Sequence, residues 1–287
     1  MEKIAILLTC FNRKEKTLAC LRAIYNQNNL DINILLDIYL VNDGSTDGTQ
    51  DAVEKYFPLV NIINGDGKLF WAGGMRLAWQ TAINADKYEY YLLLNDDTIL
   101  STETLSLLIK SNKELTKKLL THGISIGTTA DEVTGKITYG GNKLTGKVFP
   151  SSKKVYNNTE AVECDMGNAN IMLVSNVVSD KIGTLSDKFT HGIADYDYTL
   201  RSKKAGFWVM VAPGISGICS DDHGKSWKGS NVSLSDRIKF LYSPKGLSYK
   251  EYLYFIKIHF PLNLPFAFFK LWLKTLFPFV YDRFKKV

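Results

Sequence analysis

The sequence has little of what marks several functional classes. It holds four cysteines in 287 residues, Cys10, Cys20, Cys164 and Cys219, and no two form a Cys-x-x-Cys pair or stand at a zinc-ligand spacing. That excludes a disulfide scaffold and a zinc finger as organising principles and predicts reduced, structural thiols. Cys10 lies in an apolar run and is expected to be buried. No uninterrupted apolar run reaches the ~18 residues of a membrane-spanning helix. The chain opens on a strand-like segment, Ile4 to Leu8, rather than on a basic stretch followed by an apolar one. A cytoplasmic location is the expectation. There is no internal repeat, no low-complexity tract and no nucleic-acid motif, and a net charge of +6 is too small for a dedicated nucleic-acid binder. The same charge suits a partner such as a nucleotide diphosphate or an anionic membrane face.

What is present is enough apolar residue for a full core, at 45% of the chain, and length for one large α/β domain with an appendage. The first hundred residues alternate strand and helix signals. Strands are predicted at Ile4–Leu8, Leu35–Val41, Val60–Ile63 and Tyr90–Leu94, and helices over Lys14–Asn26, Thr49–Tyr56 and Met75–Ala85. This alternation predicts a mostly parallel sheet with helices on both faces. Residues 121–170 read as a less regular hairpin region, Ile171–Val174 as a resumed strand, and residues 180–225 as short polar elements. In open α/β sheets, ligands sit beyond the carboxyl ends of the strands, so the residues just after each strand are the candidates.

Five constellations qualify. The first strand ends in Thr9-Cys10-Phe11-Asn12-Arg13 and the second in Asn42-Asp43-Gly44-Ser45-Thr46-Asp47-Gly48. Together they offer a ring to stack on a base, amides, a guanidinium and a carboxylate; turn and cap chemistry is the plainer account. Next, Asn64 to Arg76 reads as a glycine-rich loop, including Gly73 and Gly74, that leads into a helix whose first turn carries Arg76. Such a loop lets a ligand approach the backbone, and a helix N-terminus favours anions. The third constellation is the strongest: Tyr90–Leu94 runs into Asn95-Asp96-Asp97. Adjacent carboxylates at the end of a buried strand are costly unless a cation neutralises them, and hard oxygen ligands suit Mg²⁺ or Mn²⁺. The fourth, His191 to Arg201, contains Asp195 and Asp197, either of which could serve as a general base. The fifth is Asp221-Asp222-His223-Gly224-Lys225-Ser226-Trp227, where a histidine could complete a metal shell or act as a structural hydrogen-bonder.

Taken in order over about residues 3–230, these motifs resemble the family 2 glycosyltransferases, in particular the rhamnosyltransferase-like and galactofuranosyltransferase-like subgroup. The resemblance implies a GT-A fold with a Rossmann-like sheet over 1–245. Its nucleotide-binding half would be about 1–120 and its acceptor-binding half about 121–245. It implies inverting transfer of a sugar from a UDP- or dTDP-sugar to a glycan or lipid-linked acceptor, with a divalent metal as cofactor. Carried over residue by residue, Thr9, Phe11, Asn12, Arg13 and Asp43 would hold the nucleotide. Gly73, Gly74, Arg76, Asn95 and Asp96 would lie along the donor. Asp97 and His223 would bind metal, Asp195 would be the catalytic base, and Asp165, Asp197 and Trp227 would lie on the acceptor side. Two positions depart from the family pattern: Ala194 precedes Asp195 where a glutamate is common, and Arg76 replaces an asparagine.

Two other classes share some of these features. A sugar nucleotidyltransferase also needs two carboxylates and a metal, but its glycine-rich basic signature near the N-terminus is absent. A non-catalytic nucleotide-sugar-binding module has no need of a base. Residues 246–287 form a separate aromatic and basic segment, with Lys250, Lys257, Lys270, Lys274, Arg283, Lys285 and Lys286 among Phe, Tyr, Trp and Leu. Pro261, Pro265 and Pro278 are expected to break it into short helices. Peripheral attachment to the inner face of a membrane is the expected use. Packing on the catalytic domain and formation of a homodimer interface are the alternatives.

Overall fold

The computed structural model describes residues 1–146, 151–220 and 232–279. Its elements follow in chain order. The first part contains β1 (Glu2–Cys10), α1 (Lys14–Tyr25), β2 (Ile34–Asn42), α2 (Thr49–Tyr56), β3 (Asn61–Asn64), α3 (Phe70–Ala85) and β4 (Tyr90–Leu94). The middle contains β5 (Ile99–Leu100), α4 (Thr104–Leu119), β6 (Gly123–Ala130), β7 (Gly141–Thr145), β8 (Ser151–Val155), β9 (Val162–Glu163), β10 (Met166–Gly167) and β11 (Ile171–Ser175). The last part contains α5 (Asn176–Ile182), α6 (Ala194–Lys204), β12 (Trp208–Ile218), α7 (Leu234–Tyr242), α8 (Tyr249–His259), a 3₁₀ turn (Pro261–Asn263) and α9 (Leu264–Leu276).

The main sheet runs β3-β2-β1-β4-β11-β6-β12-β5, with β9 also paired to β12, and β10-β7-β8 make a small second sheet. The first four of these strands are parallel, and β11 enters antiparallel between β4 and β6. This is the mixed α/β, mostly parallel arrangement expected of the sequence. Strand alternation divides the core in two. Ala5 and Leu7 of β1, with Tyr91 and Leu93 of β4, face α3, whose Met75, Ala78, Trp79 and Ala82 make a buried stripe. Ile4, Ile6 and Leu8, with Leu92 and Leu94, face α1 through Leu18, Leu21 and Ile24. Both faces are thus dry, which is why these strands read as continuous apolar runs.

The strands and loops differ from expectation in three places. The segments 121–170 and 180–225 contain two long strands of the main sheet. All eight residues of β6 are buried, yet Gly123, Ser125, Gly127, Thr128 and Thr129 gave it no bulky apolar signature. The eleven-residue β12 is broken in register near Pro213–Gly214, which hid its period. The third correction concerns Gly73 and Gly74, which lie within α3 and not in a loop. A Cβ on Gly74 would sit 2.1 Å from Thr9 Oγ1, so glycine there lets α3 close on the end of β1. Gly74→Ala is therefore expected to destabilise the protein by about 1–3 kcal/mol in a urea titration, and adding Thr9→Ala should recover part of the loss. An unchanged midpoint for the single variant would remove this account.

In the C-terminal segment, Pro261 ends α8, but Pro265 sits in the first turn of α9, where its missing N–H costs nothing, and starts a helix instead of breaking one. Phe255, Ile256 and Ala267 share the core on the α3 side of the sheet.

Candidate functional site

The carboxyl ends of β1, β2 and β4 meet as the topology requires. Just past β4, Asp96 is 5% exposed. Arg13 Nη1 donates to Asp97 Oδ2 at 2.7 Å and to Asp96 Oδ1 at 3.4 Å, Thr17 Oγ1 donates to Asp96 Oδ2 at 3.2 Å, and Lys16 Nζ lies 3.8 Å from Asp97. Arg13, expected beside the base and ribose, is here the cation that offsets the acidic pair. Burial pushes the Asp96 carboxyl up to about 7; Arg13 opposes that rise and Asp97 adds to it. Cys20 Sγ lies 3.5 Å from Asn95 O and Cys219 Sγ 3.8 Å from Asp97 Oδ1. Burial pushes the Cys10 and Cys219 thiols up to about 12 and about 11, so they stay neutral and structural as expected.

The nucleotide-side candidates form a scaffold of loops. Asn12 adopts φ 51°, uncommon for a residue with a side chain. Its Oδ1 accepts from Thr46 N at 2.7 Å and its N–H donates to Ser45 Oγ at 3.0 Å, tying the end of β1 to that of β2. Asp43, 4% exposed, accepts from Gly67 N at 2.9 Å and from Phe70 N at 3.1 Å. A carboxylate just past β2 thus serves the N-terminus of α3, the place where an anion is expected. Thr9 packs against Gly74. Phe11 is 44% exposed, and Lys245 Nζ stands 5.9 Å from its ring centre. Arg76 lies in the second helical turn of α3, not the first. Its Nη1 donates to Ser186 O at 2.8 Å and Phe189 O at 2.7 Å, so it holds the segment 183–193.

That segment delivers Asp195. It is held on one side by α3, through Arg76 and Ala72 N to Thr190 O at 3.0 Å, and on the other by α8, where Glu251 accepts from Thr190 N at 3.1 Å and Thr190 Oγ1 at 2.6 Å. Ile193, at φ 58°, then turns the chain into α6. Asp195 is half-buried in the first turn. Its Oδ1 accepts from Tyr196 N at 2.8 Å, and its Oδ2 from Ala169 N at 3.2 Å and Asn168 Nδ2 at 3.5 Å. Burial raises its pKa, and those three donors only partly offset the rise. One residue beyond Ala169, Asn170 O accepts from Asn95 N at 3.2 Å, and Asn170 Nδ2 reaches Cys219 Sγ beside Asp97. A three-residue link between β10 and β11 thus ties Asp195 to the acidic pair.

Trp71 and His191 belong to the same site but received no role from the sequence. Trp71 Nε1 donates to Asn95 Oδ1 at 2.8 Å, and Trp71 N approaches His191 Nδ1 at 3.4 Å. Both sit in motifs singled out for other residues, and a tryptophan in a glycine-rich stretch was the available signal.

The acceptor-side candidates separate. Asp197 is fully buried and bonded by Arg201 Nε at 2.8 Å, the i,i+4 pair its spacing suggests, and by His259 Nε2 at 2.8 Å. Asp165 accepts from Leu144 N at 2.7 Å and Lys203 Nζ at 2.6 Å, which fastens the small sheet to α6. Both are structural ion pairs in this arrangement. His223 and Trp227 lie outside the described residues. Among the described residues no group of three His, Cys, Asp or Glu side chains converges on one point. The two carboxylates at the end of β4 offer the hard oxygen atoms that a divalent ion takes, but Arg13 and Lys16 now meet their charge and would have to give way to such an ion.

Residues 5–128 match the family model described as Glycosyl transferase family 2. A search of curated proteins gives no significant match. Among solved structures, the chain is similar to the mannosyltransferase PcManGT from Pyrobaculum calidifontis in complex with GDP-Man and Mn²⁺. The TM-score is 0.55 at 14% identity, over 96% of this chain and 75% of that one. It is also similar to GalNAc-T7 with UDP, GalNAc and Mn²⁺, with TM-score 0.62 at 11% identity, over 89% of this chain and 48% of that one, so it spans about half of the larger protein. At such identities the likeness is one of fold. The chain has the GT-A fold, and the part of it that carries β1 to β4 and the acidic pair matches Glycosyl transferase family 2.

Proposed function

We propose that the protein is an inverting glycosyltransferase that moves a sugar from a nucleotide-diphosphate sugar to a hydroxyl of a bacterial glycan or lipid-linked acceptor. The observation that carries this reading is the pairing of two unlike acidic sites through one short segment. Asp96 and Asp97 sit with cations at the end of β4. Asp195 is held only by backbone and amide donors, without a cationic partner among its described contacts. The first arrangement suits a metal-bound diphosphate and the second suits a base.

Asp97 would hold the ion together with His223, and the ion would supply charge neutralisation for the leaving diphosphate. Arg13 and Lys16 lie where they can share that anion. Phe11 would stack on the base, with Asn12 and Asp43 shaping its pocket. Asp195 would accept the proton of the acceptor hydroxyl as its oxygen attacks the anomeric carbon, and one displacement inverts that carbon. The donor would be a UDP- or dTDP-sugar, and the protein would belong with the rhamnosyltransferase-like or galactofuranosyltransferase-like enzymes.

Two measurements test it. A thermal-shift screen of nucleotide sugars with Mn²⁺ should give one donor class that raises the melting temperature, since a ligand that binds only the folded state stabilises it by mass action. Transfer from that donor should fall to background in EDTA and return with Mn²⁺ or Mg²⁺. Full turnover in EDTA would remove the metal role, and nucleotidyl transfer from a nucleoside triphosphate to a sugar phosphate would replace the whole reading.

A further inference from the structure

Helix α9 is two-faced in an unusual sense. Ala267, Leu271 and Thr275 are buried at spacings of four, and Ala267 joins the main core. At 3.6 residues per turn the opposite side should be polar. It carries Phe266, Phe269, Leu273 and Leu276, exposed at 53%, 69%, 51% and 43%, and Leu262 in the preceding turn is 80% exposed. The charged residues of α9 are Lys270 and Lys274, set to one flank of this stripe, and it has no acidic residue. Soluble monomers rarely leave so continuous an apolar patch in water.

We propose that this face rests on a membrane surface with anionic headgroups. Phe266, Phe269, Leu273 and Leu276 would enter the acyl boundary, and Lys270 and Lys274 would lie at headgroup level. An amphipathic helix that lies in the interface needs an apolar stripe with a basic flank, and α9 has both. Charge favours an anionic surface over a second copy: a two-fold interface brings the same patch onto itself, and α9 has no carboxylate to set against its own lysines. No helix among the described residues is long and apolar enough to cross a membrane, so the contact is peripheral. The inference is independent of the transfer reaction.

The test uses the full chain and no activity measurement. Vesicles of phosphatidylcholine, with and without phosphatidylglycerol, are sedimented with the wild type, with Phe269→Glu/Leu273→Glu and with Lys270→Gln. The wild type should sediment with the anionic vesicles. The double variant should bind roughly tenfold or more weakly, and Lys270→Gln about fivefold more weakly, with the loss shrinking at high salt. Because these positions are exposed, the thermal melts of all three proteins should coincide, which separates lost binding from lost fold. Wild type left in the supernatant, or equal binding by the double variant, overturns the proposal. So does a dimer in sedimentation velocity that Phe269→Glu/Leu273→Glu dissolves while no protein binds vesicles; that outcome assigns the face to a second copy.

Discussion

Asp195→Asn is expected to lower kcat of the proposed transfer by about 10²–10⁴-fold, the usual worth of a general base. Donor affinity, read by calorimetry, should be nearly unchanged, because the base meets the acceptor and not the nucleotide. The substitution keeps size, but Tyr196 N and Ala169 N bond different oxygens of Asp195 and the amide has only one, so a thermal melt of the variant is needed beside the rate to show that the fold is kept. A pH profile gives a second readout. Burial holds the Asp195 pKa above the ordinary carboxylate range of about 3.9. A base must be ionised to act, so the acid limb of kcat should lie above that range in the wild type and be absent from the residual rate of the variant. Near-normal turnover by Asp195→Asn, with Asp197→Asn inactive but stable, would move the base to the second aspartate.

Asp197→Ala should cost about 3–5 kcal/mol of folding stability, the range for breaking a buried ion pair by removing one partner. The carboxylate has no exposure and is bonded from α6 itself by Arg201 and from α8 by His259, whose side chain is 2% exposed. Its loss strands the histidine and leaves a void between the two helices. His259→Phe keeps the packing and leaves Arg201 in place, so it should cost less, about 1–3 kcal/mol. Burial alone would raise the Asp197 pKa, but the bonds from His259 and Arg201 outweigh it and lower the value. A lowered carboxylate pKa gives stability that is present above the unfolded value near 3.9 and is lost as pH falls through the folded one. The gap between wild type and Asp197→Ala in urea titrations should therefore hold at neutral pH and narrow only in strong acid. An equal gap at every pH would show that the void, not the charge, sets the cost.

The same two aspartates show what could be read from the chain. The bulky runs of β1, β2 and β4 declared themselves, and with them the place of Asp96 and Asp97, because a strand buried on both faces needs nothing but local composition to be seen. The i,i+4 spacing of Asp197 and Arg201 was equally local. His259 stands 62 positions from Asp197, and no spacing rule joins them. Arg13 was assigned to the nucleotide because it follows β1, whereas its length lets it cross to β4. A helix starting at Met75 puts Arg76 in its first turn; the five residues of helix before Met75 turn it toward carbonyls instead. Small residues hid β6, since Gly, Ser and Thr carry the signature of a loop even where the sheet closes over them.

The hold on Thr190 has a consequence in time. Its partners on α3 lie earlier in the chain, but Glu251 lies 61 positions later. On the ribosome the strands β1 to β4 and α3 emerge first, and α3 can present its side of the clasp while the segment leading to Asp195 still lacks its other side. The latch closes only after α8 has emerged and docked. Nascent chains halted before α8 should therefore hold Thr190 from the α3 side alone, and the order of synthesis delays the finished clasp until nearly the last helix.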